Sequence, residues 1–225
     1  TNLKSNFLIK NINQNKNFTE FDLLVNLPNK KRLNIKKIKI PLLGIHNVRN
    51  SVAALAVAIT VGISIKDIKS GLRNFKGVQR RFNKIFSYKE IDFYDDYAHH
   101  LTEIKFVLEV VNKVYNGYDK VCVFQPHRIS RLKDLRKEFS YAFKNADTVV
   151  LCPIYTAGER IKLGFNYLNF AKEIIRNSKV KLFLVNDKVQ LTNFLKKNLY
   201  GKKIVIGMGA GTISNWMREL PNSIK

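Results

Sequence analysis

Hydrophobic positions change their spacing along the chain, and each change predicts a different kind of element. In "FTEFDLLVNL" (18–27) and "RLNIKKIKI" (32–40) apolar and polar residues partly alternate, as in half-buried strands. "PNKK" (28–31) between them is a turn signal. In "PLLGIHNVRNSVAALAVAITVGI" (41–63) the period lengthens. Gly44 ends the strand there, and the Ala/Val-rich segment after His46 predicts a helix packed on most of its sides. "SIKDIKSGLRNF" (64–75) predicts a short amphipathic helix, with Ser64 as N-cap and Gly71 late in its course.

Beyond about residue 78 the pattern changes again. "RFNKIFSYKEIDFYDDYA" (81–98) reads as a hairpin, and units of helix then strand follow it. Helices are predicted over 101–115, 130–144, 167–177, 187–198 and 212–219. Near-continuous apolar strands are predicted at 120–125, 147–154, 180–185 and 202–207. Such strands, alternating with amphipathic helices, predict an α/β fold with a mainly parallel sheet covered on both faces. Ligands in such sheets sit beyond the carboxyl ends of the strands. That is where "DDYAHH", "FQPHRISR", "PIYTAGER" and "GMGAGT" fall.

Composition narrows the function classes. A hydrophobic fraction of 45% with 11% aromatic residues argues against general disorder. The longest apolar-rich run, 51–63, is too short to span a bilayer, and no secretory signal is visible, so a cytoplasmic protein without a membrane partner is expected. Thr1 rather than Met opens the chain, which raises the expectation of a piece of something longer. Cys122 and Cys152 lie in apolar strand-like runs and read as buried, reduced thiols; their spacing is not that of a zinc site. A formal charge of +23 would suit a nucleic-acid binder. The 29 Lys against 11 Arg, spread along the whole chain, fit compositional drift better, and no nucleic-acid partner is expected.

Several motifs can carry chemistry, each with a plainer competitor. The backbone N–H groups of "GMGAGT" (207–212) could cradle a phosphate, or the stretch could be only a tight strand-to-helix turn; the full dinucleotide fingerprint is absent. "FQPHRISR" brings Gln125, His127, Arg128 and Arg131 to one strand end, suited to a carboxylate or phosphate; solvated loop residues are the alternative. "GVQRRF" (77–82) places two arginines where the domain character changes, either reaching a bound nucleotide or simply solvated. In "GIHNVRN", Asn47 and Asn50 lie one helical turn apart and could read an adenine edge with His46, unless Asn47 is an N-cap. For "DDYAHH" zinc can be set aside, because no further ligand has motif spacing. A ribose-binding carboxylate beside a substrate-orienting histidine is more economical than two core imidazoles.

Taken in order, "GIHNVRNSVAA", "FKGVQRRF", "DDYAHHLTEI", "FQPHRISR", "IYTAGE" and "GMGAGTI" resemble the UDP-N-acetylmuramate–L-alanine ligases, a branch of the Mur ligase family, over nearly all of 41–220. "FQPHR" after "DDYAHH" sets the chain apart from the family's glutamate-adding, diaminopimelate-adding and murein-peptide-recycling ligases. The resemblance implies that residues 1–78 end a central ATPase-type α/β domain and that 79–225 form a Rossmann-like C-terminal domain. It implies ATP and Mg2+ as cofactors, and UDP-N-acetylmuramate and L-alanine as substrates. The muramoyl carboxylate would be activated as an acyl phosphate and then attacked by the alanine amine. It also implies that His46, Asn47 and Asn50 contact adenine, that Arg81 reaches ATP from the hinge, and that Asp96 holds the ribose. Tyr97, His100, His127, Arg128 and Arg131 would line the reaction centre, with His99 only structural.

Two departures qualify this. No "GxxxxGK[ST]"-type loop occurs, so the phosphate cradle, the magnesium ligands and the UDP-sugar domain would have to come from a missing amino-terminal half. Leu101 stands where the family usually has proline, which predicts a looser helix start. The competing readings are a nucleotide-binding Mur-like module without catalysis and, further off, a basic nucleic-acid-binding protein.

Overall fold

The computed structural model describes residues 6–27, 32–159 and 165–224, and its contacts divide the chain into two units, 1–77 and 78–225. The turn predicted at 28–31 lies outside the described residues.

In the first unit β1 (Phe7–Gln14), β2 (Thr19–Val25) and β3 (Leu33–Ile40) form an antiparallel sheet in that order. Asp22 ties two irregularities in it: its carboxylate accepts from Asn11 Nδ2 at 2.8 Å and from Lys37 N at 2.7 Å. Both partners have positive φ, a conformation that such side chain-to-backbone bonds help to hold. One sheet face packs under α1 (Ile45–Thr60) and α2 (Ile65–Asn74) through Phe21, Leu23, Ile38, Val48, Leu55 and Ile68. Ser64 caps α2 as predicted, accepting from Asp67 N. The expectation of a helix packed on most sides is not met within this unit. Val57 on α1 is 65% and Val61 at its C-cap 68% exposed, beside exposed Ala53 and Ala54, because three short strands cover only one side of the helix.

The second unit is a six-stranded sheet in the order β4-β5-β9-β6-β7-β8. The hairpin of β4 (Asn83–Tyr88) and β5 (Ile91–Asp96) is antiparallel, and every other pairing is parallel. Strands β6 (Asp119–Phe124), β7 (Thr148–Leu151), β8 (Lys181–Leu184) and β9 (Lys203–Met208) are apolar almost throughout where they are central. That pattern is what two covered faces require. One face packs against α3 (Leu101–Val114), α4 (Ile129–Asp134), α5 (Arg136–Ser140) and α6 (Tyr167–Ser178), through Ile104, Leu132, Phe139 and Phe170. The other packs against α7 (Lys188–Asn198) and α8 (Ile213–Ile224), through Leu191, Ile213 and Met217. Cys122 belongs to the first core and Cys152 to the second, so the two buried thiols lie on opposite faces of the sheet.

Three predicted boundaries move. The strand expected over 147–154 ends at Leu151. The helix expected over 130–144 is two short helices broken at Leu135, whose φ is −114°, followed by turns. The last helix runs to Ile224 rather than 219, with Pro221 inside it. Among the described residues no helix is long and apolar enough to cross a membrane.

Candidate functional site

Strands β5, β9 and β6 end level with one another: Asp96 and Phe124 both pair with Met208. The helices that follow leave to opposite faces, α3 and α4 to one and α8 to the other. The strand ends therefore flank a topological switch point, the position of the crevice in which doubly wound sheets bind ligands.

A closed circuit of side chains lines this end of the sheet. The Tyr97 ring meets His99 edge-on, with centroids 5.1 Å apart, and His99 meets His127 edge-on at 5.3 Å. His127 stacks on Tyr155 at 5.6 Å. Tyr155 lies against Gly211 so closely that a Cβ there would fall 2.5 Å from its ring. Arg80 closes the circuit. Its Nη2 donates to Gly209 O at 2.6 Å and to Gly211 O at 3.4 Å, while its guanidinium lies 4.6 Å over the Tyr97 ring. Arg131 joins from α4, with Nη1 3.5 Å from His127 Nδ1. Partial burial, then the charges of His99, Arg131 and Arg128, hold His127 below its ordinary pKa, so the ring is neutral near pH 7. Arg128 is exposed beside it, with its N–H donating to Tyr155 O at 2.9 Å.

The loops that build the circuit are strained. Of the eight non-glycine residues with positive φ among the described residues, four (Arg80, Phe82, Arg128 and Ala157) lie in them. Each costs on the order of 1 kcal/mol or more and is held by its surroundings. Ser130 donates to Glu159 at 2.5 Å, latching α4 to the loop that carries Ala157. Asp96 accepts from Phe82 N and Ala98 N, both at 2.7 Å, and Tyr97 N donates to Arg80 O at 2.8 Å.

The structure decides several open alternatives. "GMGAGT" is a packed turn rather than an open cradle. Gly209 N donates to Asp96 O, Ile213 N to the buried Gln125 Oε1 at 3.0 Å, and Gln125 Nε2 to Thr212 Oγ1 at 3.0 Å. His100, expected in the reaction centre, is the N-cap of α3: its Nδ1 accepts from Thr102 N. Glu103 Oε2 in turn accepts from His99 N and His100 N, at 3.0 and 3.2 Å. This capping box also keeps the helix start firm despite Leu101, against the expectation of a looser one. His99, expected to be structural, supplies the ring that faces His127. In the first unit Asn47 is not the N-cap, a position held by Gly44. The buried Asn47 amide donates back to Leu43 O at 2.8 Å, whereas Asn50 is exposed and His46 half-buried. Arg81 is exposed, and sequence reasoning passed over its neighbour Arg80.

Comparison with known proteins identifies the family. Residues 80–211 match the model described as Mur ligase, glutamate ligase domain. The UDP-N-acetylmuramate–L-alanine ligase of Pelagibacter ubique is 66% identical over 224 residues, which is 100% of this chain and 48% of that protein. Its counterpart in Rickettsia canadensis is 38% identical over 94% of this chain and 45% of its own length. Among solved structures, the UDP-N-acetylmuramate-alanine ligase of Thermotoga maritima superposes with a TM-score of 0.76 at 24% identity, covering 98% of this chain and 46% of that one. The chain thus spans about half the length of the curated relatives it matches. With the family model covering the crevice, its loops and most of the second unit, the chain belongs to the Mur ligase family.

Proposed function

We propose that the chain is the carboxyl-terminal portion of an ATP-dependent ligase that joins L-alanine to UDP-N-acetylmuramate in peptidoglycan synthesis. The observation that carries the reading is 66% identity, across the whole chain, to a relative that bears that name. In this reading residues 1–77 end the ATPase domain, and residues 78–225 bring half of the reaction centre. The protein would work in the cytoplasm and contribute to cell-wall growth and division.

The chemistry of the circuit supports an amino-acid subsite. Arg131 and Arg128 supply planar donors for a carboxylate. The amine would sit against Tyr97, His99 and His127. With Nδ1 facing the Arg131 donor, a neutral His127 carries its proton on Nε2 and adds no charge beside the amine, whereas an imidazolium would repel an ammonium group. His99, whose ring faces His127, would join this subsite, with His100 holding the loop as the cap of α3. Holding the amine beside an activated muramoyl carboxylate, away from water, is the contribution these residues would make to amide formation.

Nucleotide contacts would come from exposed Arg81 and Asn50, with His46 and Asn47 beside Asn50. Asp96 would reach the ribose only with lone pairs left after it accepts Phe82 N and Ala98 N. The packed turn at 207–212 supplies no phosphate cradle, so phosphate binding would fall to the part of the ligase outside this chain. Magnesium, which neutralises phosphate charge, would be held there too.

The test is a fusion of this chain to the portion of the Pelagibacter ubique relative that it does not match. ADP release is measured with UDP-N-acetylmuramate, ATP, magnesium and L-alanine. Turnover that requires L-alanine is expected from the fusion and none from the chain alone. ADP release that ignores L-alanine would overturn the amino-acid assignment, and turnover by the chain alone would overturn the half-site reading.

A further inference from the structure

Arg80 has no part in the proposed chemistry, yet it touches both the turn after β9 and the Tyr97 loop. It lies three residues past Gly77, where the two units divide. Its backbone is left-handed, with φ 61°, which a residue with a long side chain adopts only when its surroundings hold it. Its carbonyl receives Tyr97 N, its Nη2 grips two carbonyls of the turn after β9, and its guanidinium covers the Tyr97 ring. Its Nε is buried with no hydrogen-bond partner in the structure. A solvated arginine would escape that cost by turning outward, so the contacts of its other atoms outweigh it.

We infer that Arg80 is a positioning residue. It closes the circuit Tyr97–His99–His127–Tyr155–Gly211 and thereby sets the relative orientation of the two imidazoles. Without its guanidinium, nothing else among the described residues joins the 209–211 carbonyls to the Tyr97 ring. The Tyr97–His99 loop and the turn at 209–211 would then be joined by backbone alone, through Gly209 N to Asp96 O and the β5–β9 ladder, with no side chain fixing the Tyr97 ring against the turn. The edge-on contact of His99 with His127 lies between those two halves. A lysine could keep the charge over Tyr97 but not the fork that reaches two carbonyls while lying flat on a ring. The link to catalysis rests on the functional reading above; the link to ring geometry does not.

The experiment is side-chain NMR of the four histidines in this 225-residue chain, comparing wild type with Arg80→Met and Arg80→Lys. His46, in the first unit, serves as the internal control; His100 does not, because its N–H shares the Glu103 carboxylate with that of His99. In Arg80→Met the ring resonances of His99 and His127 are expected to move and those of His46 to stay. The His127 titration should rise toward its ordinary 6.5 as water reaches the ring. Arg80→Lys should give an intermediate result. A folded Arg80→Met with unchanged His99 and His127 resonances and titration would overturn the inference. So would unfolding of both variants under conditions where the wild type is folded, because Arg80 would then be a residue of the fold rather than of the site. Adding L-alanine to the wild type is a separate arm. If His127 does not respond to it, the functional reading suffers while the Arg80 result stands.

Discussion

Two titratable groups of the site are displaced in ways that can be read directly. Burial, working against two backbone N–H donors, raises Asp96 from 3.8 to about 6. Between those values the folded chain keeps a proton that the unfolded chain has released. This group therefore makes stability fall as pH rises through that window, by on the order of 3 kcal/mol in all, and contributes no further slope above it. His127 works in the opposite direction. Its depressed folded pKa makes stability fall as pH drops below 6.5. Carboxyl-carbon NMR should find the Asp96 midpoint near 6; a midpoint below 3.8 would mean that its two donors outweigh burial. At this scale the sequence was only partly legible. Arg80 could not be singled out, because its carbonyl partners lie 129 and 131 residues away and only the closed sheet brings them near. The place of His100 as the cap of α3 was more accessible. Glu103 stands three residues after His100, which is the spacing of a capping box and marks His100 as the cap.

Elements were read from spacing where spacing was strong. The hairpin at 83–96 and the central strands after it lie where the apolar runs placed them. The break at Leu135 went unseen because neither glycine nor proline marks it. Phe139 and Phe143 fill the core under β6 from a chain that has already left the axis of α4. Two helices allow a paired stability test. Glu103→Ala removes the acceptor of two N–H groups at the start of α3 and should cost about 1 kcal/mol. Gly71→Ala, inside α2 where an added Cβ meets nothing within 4 Å, should add roughly 0.5–1 kcal/mol. Urea unfolding of the two variants reads both effects. A loss from Gly71→Ala would mean that this face of α2 is not open. The exposed side of α1 has a different origin. Periodicity reports how apolar a helix is, not how much of it a three-stranded sheet can cover.

At the scale of the molecule, the sheet of the second unit divides its interior into two cores, and one cysteine is buried in each. Burial pushes the Cys152 thiol up to about 12 and raises Cys122 as well, chiefly by desolvation in both cases. Neither thiol can react as a thiolate from the closed state. The pair also cannot form a disulfide with the sheet between them. Alkylation must therefore wait for the protein to open, and each labelling rate times the exposure of one core. If the faces come apart only together, Cys122 and Cys152 will be modified at one rate and in step as urea is added. If α7 and α8 lift away while α3 to α6 stay down, Cys152 will lead. Two residues with no place in the chemistry thus become a clock for each side of the sheet that carries it.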